Sequence, residues 1–359
     1  MEKKHLIGLS PEVLAEELEE LKQPRYRAKQ VIDWVFAKGV FEFAEMSNLP
    51  AALRASLAER FNVCLPEIVT VQGSADTTRK LLLKLVDGRF IECVLIPASP
   101  ALYGQGSDRL TLCVSSQVGC AFDCKFCASG LAGFDRNLEV HEIVGQVLAA
   151  RKIAGQRIDN LVFMGMGEPL ANLANLTRSL EVLNAPWGLG IGARHITVST
   201  SGLAPMIRKL AEIPMQIRLA VSLHGATDEV RSRIMPVNKR YPLEELFRAL
   251  EEWRSLRKQR ITFEYILIRG INEAPDQARE LAARAKSLGA KVNCIPYNTV
   301  EGLDWERPSE EAQDAFREIL EQAGVPATLR REKGHDIDAA CGQLRLREVG
   351  DLPVGKKIS

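Results

Sequence analysis

From about residue 110 onward the chain keeps one rhythm, a short apolar run followed by a longer stretch of helical character, and repeats it. The apolar runs are "RLTLCVSS", "NLVFMGM", "HITVST", "IRLAVSLH", "ITFEYILI" and "KVNCIPY", and the stretches between them include "EVHEIVGQVLAARKI" and "DQARELAARAKSLG". Most of these runs are strongly apolar, as strands buried on both faces are, and such strands are parallel ones covered by helices. Six βα units predict an α/β chain built on a parallel sheet, either open or barrel-like. In that architecture reactive residues gather at the carboxyl ends of the strands. Several unusual residue clusters in this chain fall there.

The first ~60 residues read differently, as amphipathic helices. "SPEVLAEELEEL" opens on a good helix cap, "YRAKQVIDWVFAKG" ends on Gly39, and "NLPAALRASLAERF" is a third helix. Between Pro66 and Pro97 the pattern turns to strands: "IVTVQG" is one, and "RKLLLKLVDGRFIECVLIP" is a hairpin about an Asp-Gly turn. Residues 1–100 are therefore expected to form an accessory α+β domain, helices followed by a small antiparallel sheet, and residues 101–359 the βα core.

The stretch "CVSSQVGCAFDCKFCASG", residues 113–130, puts four cysteines into fifteen positions. Cys120, Cys124 and Cys127 follow the first βα strand with the spacing C-x3-C-x2-C. A structural zinc ion normally closes four ligands in two pairs. Three thiolates instead suit a 4Fe-4S cluster with one iron left free of protein ligands. A zinc site completed by a distant fourth ligand is the other reading. The eight cysteines are an even number, but clustering in a long chain argues against a disulfide framework.

Other strand ends carry polar groups. "MGMGEP" closes the second strand: Gly165 and Gly167 allow close backbone approach, and Glu168 can accept a hydrogen bond from an ammonium group. Ser199 in "STSG", Ser222, Leu223 and His224 in "SLH", and Asn298 in "PYN" stand at further strand ends. Serine and asparagine suit ribose and carboxylate groups. A lone histidine such as His224 is more often a satisfied core residue. Glu92, between Ile91 and Cys93 on a strand, is an unusual place for a carboxylate, and an exposed edge strand is the plain explanation. Cys64, Cys93 and Cys294 read as small apolar core residues.

These segments, with "RNLEVHEIVGQVL", "MGMGEPLANL", "AVSLHGATDEVRSRIMPVNKRY", "NCIPYN" and "HDIDAACGQL", closely resemble the RlmN/Cfr family of radical S-adenosylmethionine adenine methyltransferases. The resemblance runs over essentially the whole chain, from "YRAKQVIDWVFAKGV" to the C-terminal region, and follows the RlmN type. It implies a partial (β/α)6 radical S-adenosylmethionine barrel with the accessory domain before it. It implies one 4Fe-4S cluster per chain on Cys120, Cys124 and Cys127, with the aromatic Phe126 before the third cysteine. It assigns Gly167, Glu168, Ser199, Ser222, Leu223, His224 and Asn298 to S-adenosylmethionine, two molecules of which are used per turnover. The substrates it implies are C2 of adenine 2503 in 23S rRNA and C2 of adenine 37 in tRNAs.

C2 of adenine lies between two ring nitrogens and is too electron-poor to attack a methyl group as a nucleophile. A carbon radical can add to it. By resemblance Cys341 takes a methyl group from one S-adenosylmethionine. The radical made from a second one removes a hydrogen from that methyl, and the methylene radical joins protein to RNA. Glu92 is the proton acceptor, and Cys113 resolves the adduct, leaving a transient Cys113–Cys341 disulfide that must be reduced. A low-potential electron donor such as flavodoxin or ferredoxin is implied. The neighbouring reading is methylation of C8 of an adenine in 23S rRNA, as in Cfr-type members.

With a net charge of +1, any RNA contact must come from local patches. Candidates are Lys22, Arg25, Arg27 and Lys29 around Tyr26, then Arg254, Arg257, Lys258 and Arg260, and "LRREKGH" leading to Cys341. The first and third are the better placed to meet phosphates. The opening "MEKKHLIGLSPEVLAEELEEL" lacks the apolar core of a signal peptide, and no run approaches the about 20 apolar residues of a membrane span. A monomer in the cytoplasm, without membrane contact, is expected. A non-catalytic RNA-binding protein with a structural zinc ion is the reading from a different class. It would keep the basic patches and need neither Cys113 nor Cys341.

Overall fold

The computed structural model describes residues 3–74, 77–98, 109–131, 133–298 and 303–330. Ten strands form one continuous sheet. Seven of them are parallel and lie side by side in chain order: Leu110–Cys113, Asn160–Phe163, Ile196–Thr200, Arg218–Ser222, Thr262–Leu267, Lys291–Pro296 and Ala327–Leu329. Among the described residues the strand order is linear and its two ends do not pair, as in an open, partial barrel. Six of these strands match the expected runs. The seventh, Ala327–Leu329, is only three residues long and has no apolar run to announce it.

Helices join the strands on the outside. Val140–Ala154 shows why they form where they do. Glu139 and Glu142 make a reciprocal capping box, and the helix stops at Gly155 in the left-handed region, φ 67°. Arg151 and Lys152 in its last turn complement the helix dipole. Leu173–Asn184, Ala204–Glu212, Leu243–Leu256, Pro275–Leu288 and Glu310–Gln322 are the other crossovers. Their apolar stripes pack on the sheet; Trp253 alone is 1% exposed, a burial worth about 2–3 kcal/mol.

The antiparallel strands Glu67–Gly73, Arg79–Lys84 and Phe90–Pro97 are an extension of the same sheet: Phe90–Pro97 pairs with Leu110–Cys113, with Val94 opposite Cys113. The Asp-Gly turn is present, Gly88 at φ 83° closing it through its N–H to Leu85 O at 2.9 Å. Glu92 therefore stands on an internal strand, 4% exposed, and the edge-strand explanation for it fails.

The N-terminal helices are Pro11–Glu20, capped by Ser10, then Arg27–Ile32 continuing as a π turn over Asp33–Ala37, and Ala51–Arg60. Gly39, at φ 69°, ends the second. Cys93 and Cys294 are buried as expected, whereas Cys64 is exposed. The reason is local: Cys64 lies beyond the short strand Phe61–Asn62, in a loop held by Cys64 N–H to Asn62 Oδ1 at 3.0 Å.

The N-terminal segment meets the barrel through a ring stack, His5 on His141, with centroids 3.4 Å apart and planes 7° from parallel. Burial, and then the neighbouring His5, push the His141 pKa from 6.5 down to about 4. A histidine depressed in the fold stabilises it fully above its ordinary pKa and loses that contribution as pH falls toward the folded value. Stability is thus expected to fall between pH 6.5 and pH 4, by about 2 kcal/mol from this group. Thermal unfolding across that window checks it. His141→Phe, which keeps a ring on His5 but cannot charge, should flatten the decline; an unchanged pH slope in the variant refutes the assignment.

Candidate active site

The first parallel strand ends at Cys113, and the chain turns through Val114, Ser115 and Ser116 into a short strand, Gln117–Gly119, that pairs with Phe134–Asn137. That ribbon encloses the loop of three cysteines. Gly119 sits at φ 73°, and a Cβ there would lie 1.9 Å from Gly133 O, so only glycine fits. Cys120 N–H donates to that same Gly133 O at 2.9 Å, Cys127 N–H to Cys124 O at 3.0 Å, and Lys125 N–H to Ile234 O at 2.9 Å. The loop is fixed by its backbone, which leaves the thiols free for another purpose.

A cavity of about 310 Å³ opens at the carboxyl ends of the strands. Cys120, Cys124, Cys127, Gly167, Glu168, Ser199, Ser222, His224 and Asn298 all line it. Most of the residues singled out in the sequence therefore meet in one place. Glu92, Cys113 and Leu223 are not among its lining residues. Cys341, and residues 331–335 of the third basic patch, lie outside the described residues.

Glu168 is 3% exposed, and its two carboxylate oxygens accept N–H groups from Leu170 at 3.0 Å and Ser201 at 2.6 Å. Burial pushes its pKa up, opposed by these donors. Its own N–H donates to Gln117 Oε1 at 2.8 Å, and Gly167 before it, at φ 94°, lies so close to Gln117 that a Cβ would meet it at 2.4 Å. Gln117 is thus a further part of the site's frame.

His224, at φ 56°, accepts Ile266 N–H on Nδ1 at 3.0 Å, and its ring stands edge-on to Phe126 with centroids 4.7 Å apart. Burial, with the nearby Arg231 guanidinium, lowers its pKa to about 3. The imidazole is neutral with its proton on Nε2, suited to donating a hydrogen bond but not to acid–base work near neutral pH.

Glu92 and Cys113 are neighbours on the sheet. Val94 faces Cys113, and Glu92 is two residues away on the same strand, hence on the same face. Ser115 Oγ fixes the Glu92 backbone by donating to its carbonyl at 2.6 Å. Burial pushes the Cys113 thiol up to about 11, while the Arg330 guanidinium opposes this.

Cys120, Cys124 and Cys127 are not gathered around a single ion: among the described residues no three His, Cys, Asp or Glu side chains are placed to hold one. A 4Fe-4S cluster takes each thiolate on a different iron, so three cysteines lining one cavity without converging on a single point are compatible with it. Burial raises Cys120 to about 12 and Cys124 well above 9. Such thiols stay protonated unless a metal displaces the proton.

Two buried groups here were not found from sequence. Glu264, 7% exposed on the fifth parallel strand, lines the cavity and accepts Asn293 Nδ2–H at 2.6 Å. Arg231 is fully buried behind the loop. Each is a single charged residue in an ordinary strand or helix, and spacing alone does not mark it. Of the basic patches, Arg257 is structural, donating to Ala211 O at 3.0 Å and 2.6 Å. In the first patch Arg25 pairs with Glu19 at 2.8 Å, and Arg27 lies over the Tyr26 ring at 5.0 Å; Lys22 and Lys29 are exposed.

The chain matches a family model described as radical SAM superfamily over residues 114–282, and one described as ribosomal RNA large subunit methyltransferase N-terminal domain over residues 4–63. It is 61% identical over 324 residues, 90% of each chain, to a probable dual-specificity RNA methyltransferase RlmN of Akkermansia muciniphila. It is 46% identical to the dual-specificity RNA methyltransferase RlmN of Nitratidesulfovibrio vulgaris, over 92% of this chain and 91% of that one. The crystal structure of a radical SAM methyltransferase from Sphaerobacter thermophilus superposes with a TM-score of 0.89 at 43% identity, covering 95% of this chain and 98% of that one.

Proposed function

Because the chain belongs to the RlmN family of radical S-adenosylmethionine RNA methyltransferases, we propose that it methylates C2 of adenine 2503 in 23S rRNA and C2 of adenine 37 in tRNAs. Its relatives carry the name dual-specificity RNA methyltransferase. The observation that carries the reading is the shared cavity. Cys120, Cys124 and Cys127 line it together with Glu168, Ser199, Ser222 and Asn298, at the carboxyl ends of parallel strands.

Cys120, Cys124 and Cys127 hold one cluster per chain. When bound, the cluster supplies the electron that opens S-adenosylmethionine to a carbon radical. Glu168 receives the methionine ammonium of that cofactor, Ser199 and Ser222 its ribose and carboxylate groups, His224 completes the wall beside Asn298, and Leu223 contributes through the backbone that joins Ser222 to His224. Two molecules of the cofactor are used per turnover, one to methylate Cys341 and one as the radical source. Glu92 takes the C2 proton, and the adduct's unpaired electron returns to the oxidised form of the group that supplied it, which leaves a closed-shell thioether between Cys341 and the adenine. Cys113 then attacks the Cys341 sulfur: an S–S bond forms, the S–C bond breaks, and the carbon leaves with the electron pair and is protonated to a methyl group. The disulfide is reduced before the next cycle. The N-terminal helices, with Lys22 and Lys29, and the segment leading to Cys341 grip the RNA while the adenine is turned out of its stack. The protein acts as a cytoplasmic monomer served by a flavodoxin- or ferredoxin-type donor. Among the described residues no helix is long and apolar enough to cross a membrane.

The test is mass spectrometry of nucleosides from rRNA and tRNA treated with the anaerobically reconstituted protein. 2-Methyladenosine from both RNAs is expected. 8-Methyladenosine would move the assignment to the Cfr type, and unmodified adenosine would remove it.

Glu168→Gln keeps the side chain's size but replaces a carboxylate oxygen with an NH2 group. S-Adenosylmethionine affinity should fall at least about tenfold, the worth of one charge-assisted hydrogen bond, with iron content unchanged. Equal affinity in wild type and variant, measured by equilibrium binding, is the result that sinks the role.

A further inference from the structure

Arg231 is wholly buried, and the groups its side chain donates to are neutral, with the Asp228 carboxylate acting on it only through space. Its Nε donates to Leu223 O at 3.0 Å, its Nη1 to Asn238 Oδ1 at 2.7 Å, and its Nη2 to Ser201 O. Asp228, one turn earlier on the same helix, directs Oδ1 to Asn238 Nδ2 and Leu243 N–H instead, at 2.8 and 2.9 Å. Two glycines on separate strand-end loops let Arg231 sit where it does, one against its backbone and one against its guanidinium. A Cβ on Gly202, at φ 108°, would come 3.0 Å from Arg231 Nη2, and one on Gly225 would come 2.6 Å from its backbone nitrogen. A buried cation with no carboxylate hydrogen-bonded to it is costly, so the fold that builds a niche for one has room for a further anion nearby.

The cavity supplies the place for that anion. Helix Asp228–Ile234, which carries Arg231, accepts Lys125 N–H on its last carbonyl, immediately beside Cys124, and Met235 after it lines the cavity. Ser201, whose carbonyl accepts from Arg231 Nη2, lines the same cavity as Cys124. A 4Fe-4S cluster on three thiolates is anionic, and it gains one more negative charge on reduction; net charge around a cluster is one of the levers on its potential.

We propose that Arg231 is the counter-charge of the cluster. Its guanidinium favours the reduced, more negative cluster and, through Leu223 O and Ser201 O, positions the two loops that receive S-adenosylmethionine. The proposal rests on the reading that Cys120, Cys124 and Cys127 ligate the cluster, and it makes Arg231 a positioning residue that touches neither substrate nor RNA.

The test is a potentiometric titration of the reconstituted full chain, followed by electron paramagnetic resonance, with iron and sulfide content measured in parallel. Arg231→Gln should keep its iron. At a fixed solution potential its ratio of reduced to oxidised cluster should fall at least tenfold, a shift of about 59 mV for one electron. Arg231→Lys, which restores the charge without the planar fork, should return most of the potential. Asn238→Asp sets a carboxylate against the intact guanidinium and should shift the potential in the same direction as Arg231→Gln, which guards against a failure of that variant to fold. Iron-replete Arg231→Gln or Asn238→Asp protein with the wild-type midpoint overturns the proposal. So does Arg231→Lys protein with the same loss as Arg231→Gln, since hydrogen bonds alone would then explain both. A wild-type chain that takes up no iron overturns the cluster reading itself, and this proposal with it.

Discussion

Cys113→Ala protein is expected to purify with RNA covalently attached, reduced by ribonuclease to a nucleotide remnant on Cys341. The expectation follows from what the substitution removes and what it leaves. The loop of Cys120, Cys124 and Cys127 is held by backbone hydrogen bonds to Gly133 and Ile234 that do not involve Cys113, so cluster uptake should be intact. Glu92 keeps its place, since its carbonyl is fixed by Ser115 Oγ and not by the Cys113 side chain. Carbon transfer to adenine can then proceed as far as the joined protein–RNA species. Release needs a thiol to displace the Cys341 sulfur, and alanine has none. The loss in multiple turnover should be essentially complete, well beyond the about 1 kcal/mol expected from packing if Cys113 were only a small core residue. Mass spectrometry of the tryptic peptide "GHDIDAACGQLR" reads the remnant directly. Cys113→Ala/Cys341→Ala protein should carry none. An unmodified peptide in the single variant, with turnover preserved, would show that the two cysteines outside the cluster motif have other roles.

The wild-type thiol has its own pH requirement. Burial holds the Cys113 pKa up at about 11, and the thiolate is the attacking form. Release of the adduct by the wild-type protein should therefore speed up as pH rises from 7 to 9 if this attack limits the rate.

The gross architecture was legible because buried parallel strands write themselves as apolar runs, and helices between them as capped, periodic stretches. Strand ends then pointed to Glu168, Ser199, Ser222, His224 and Asn298, which do share a cavity. Sequence gives a hairpin but not the strand it pairs with, so the joining of Phe90–Pro97 to Leu110–Cys113 in one sheet was not visible. That pairing is what sets Glu92 on the same face as Cys113. Arg231 was hidden for a related reason. "DEVRSRI" looks like a solvated helix, and its burial depends on two glycines, Gly202 and Gly225, far from it in the chain. Cys64 was misread because a small apolar residue in a loop carries no periodicity to say which way it faces.

Cys120→Ala, Cys124→Ala and Cys127→Ala should each abolish iron binding and all methylation. A cluster held by three protein thiolates has no spare ligand, and Cys120, Cys124 and Cys127 are the cysteines that line the cavity. The loss should be specific to the metal and not to the fold. The loop's hydrogen bonds run between backbone groups, Cys120 N–H to Gly133 O, Cys127 N–H to Cys124 O and Gly130 N–H to Cys127 O, and alanine preserves all of them. The metal-free variants should therefore unfold at nearly the temperature of the metal-free wild type, a loss of at most about 1–2 kcal/mol for a sulfur-sized change in a partly exposed wall. Only the wild type should gain stability on reconstitution, because only it binds the cluster in the folded state. Iron and sulfide analysis paired with thermal unfolding separates the two effects. Iron content equal to wild type in any one of the three variants would remove that cysteine from the ligand set, and equal content in all three would remove the cluster from this cavity.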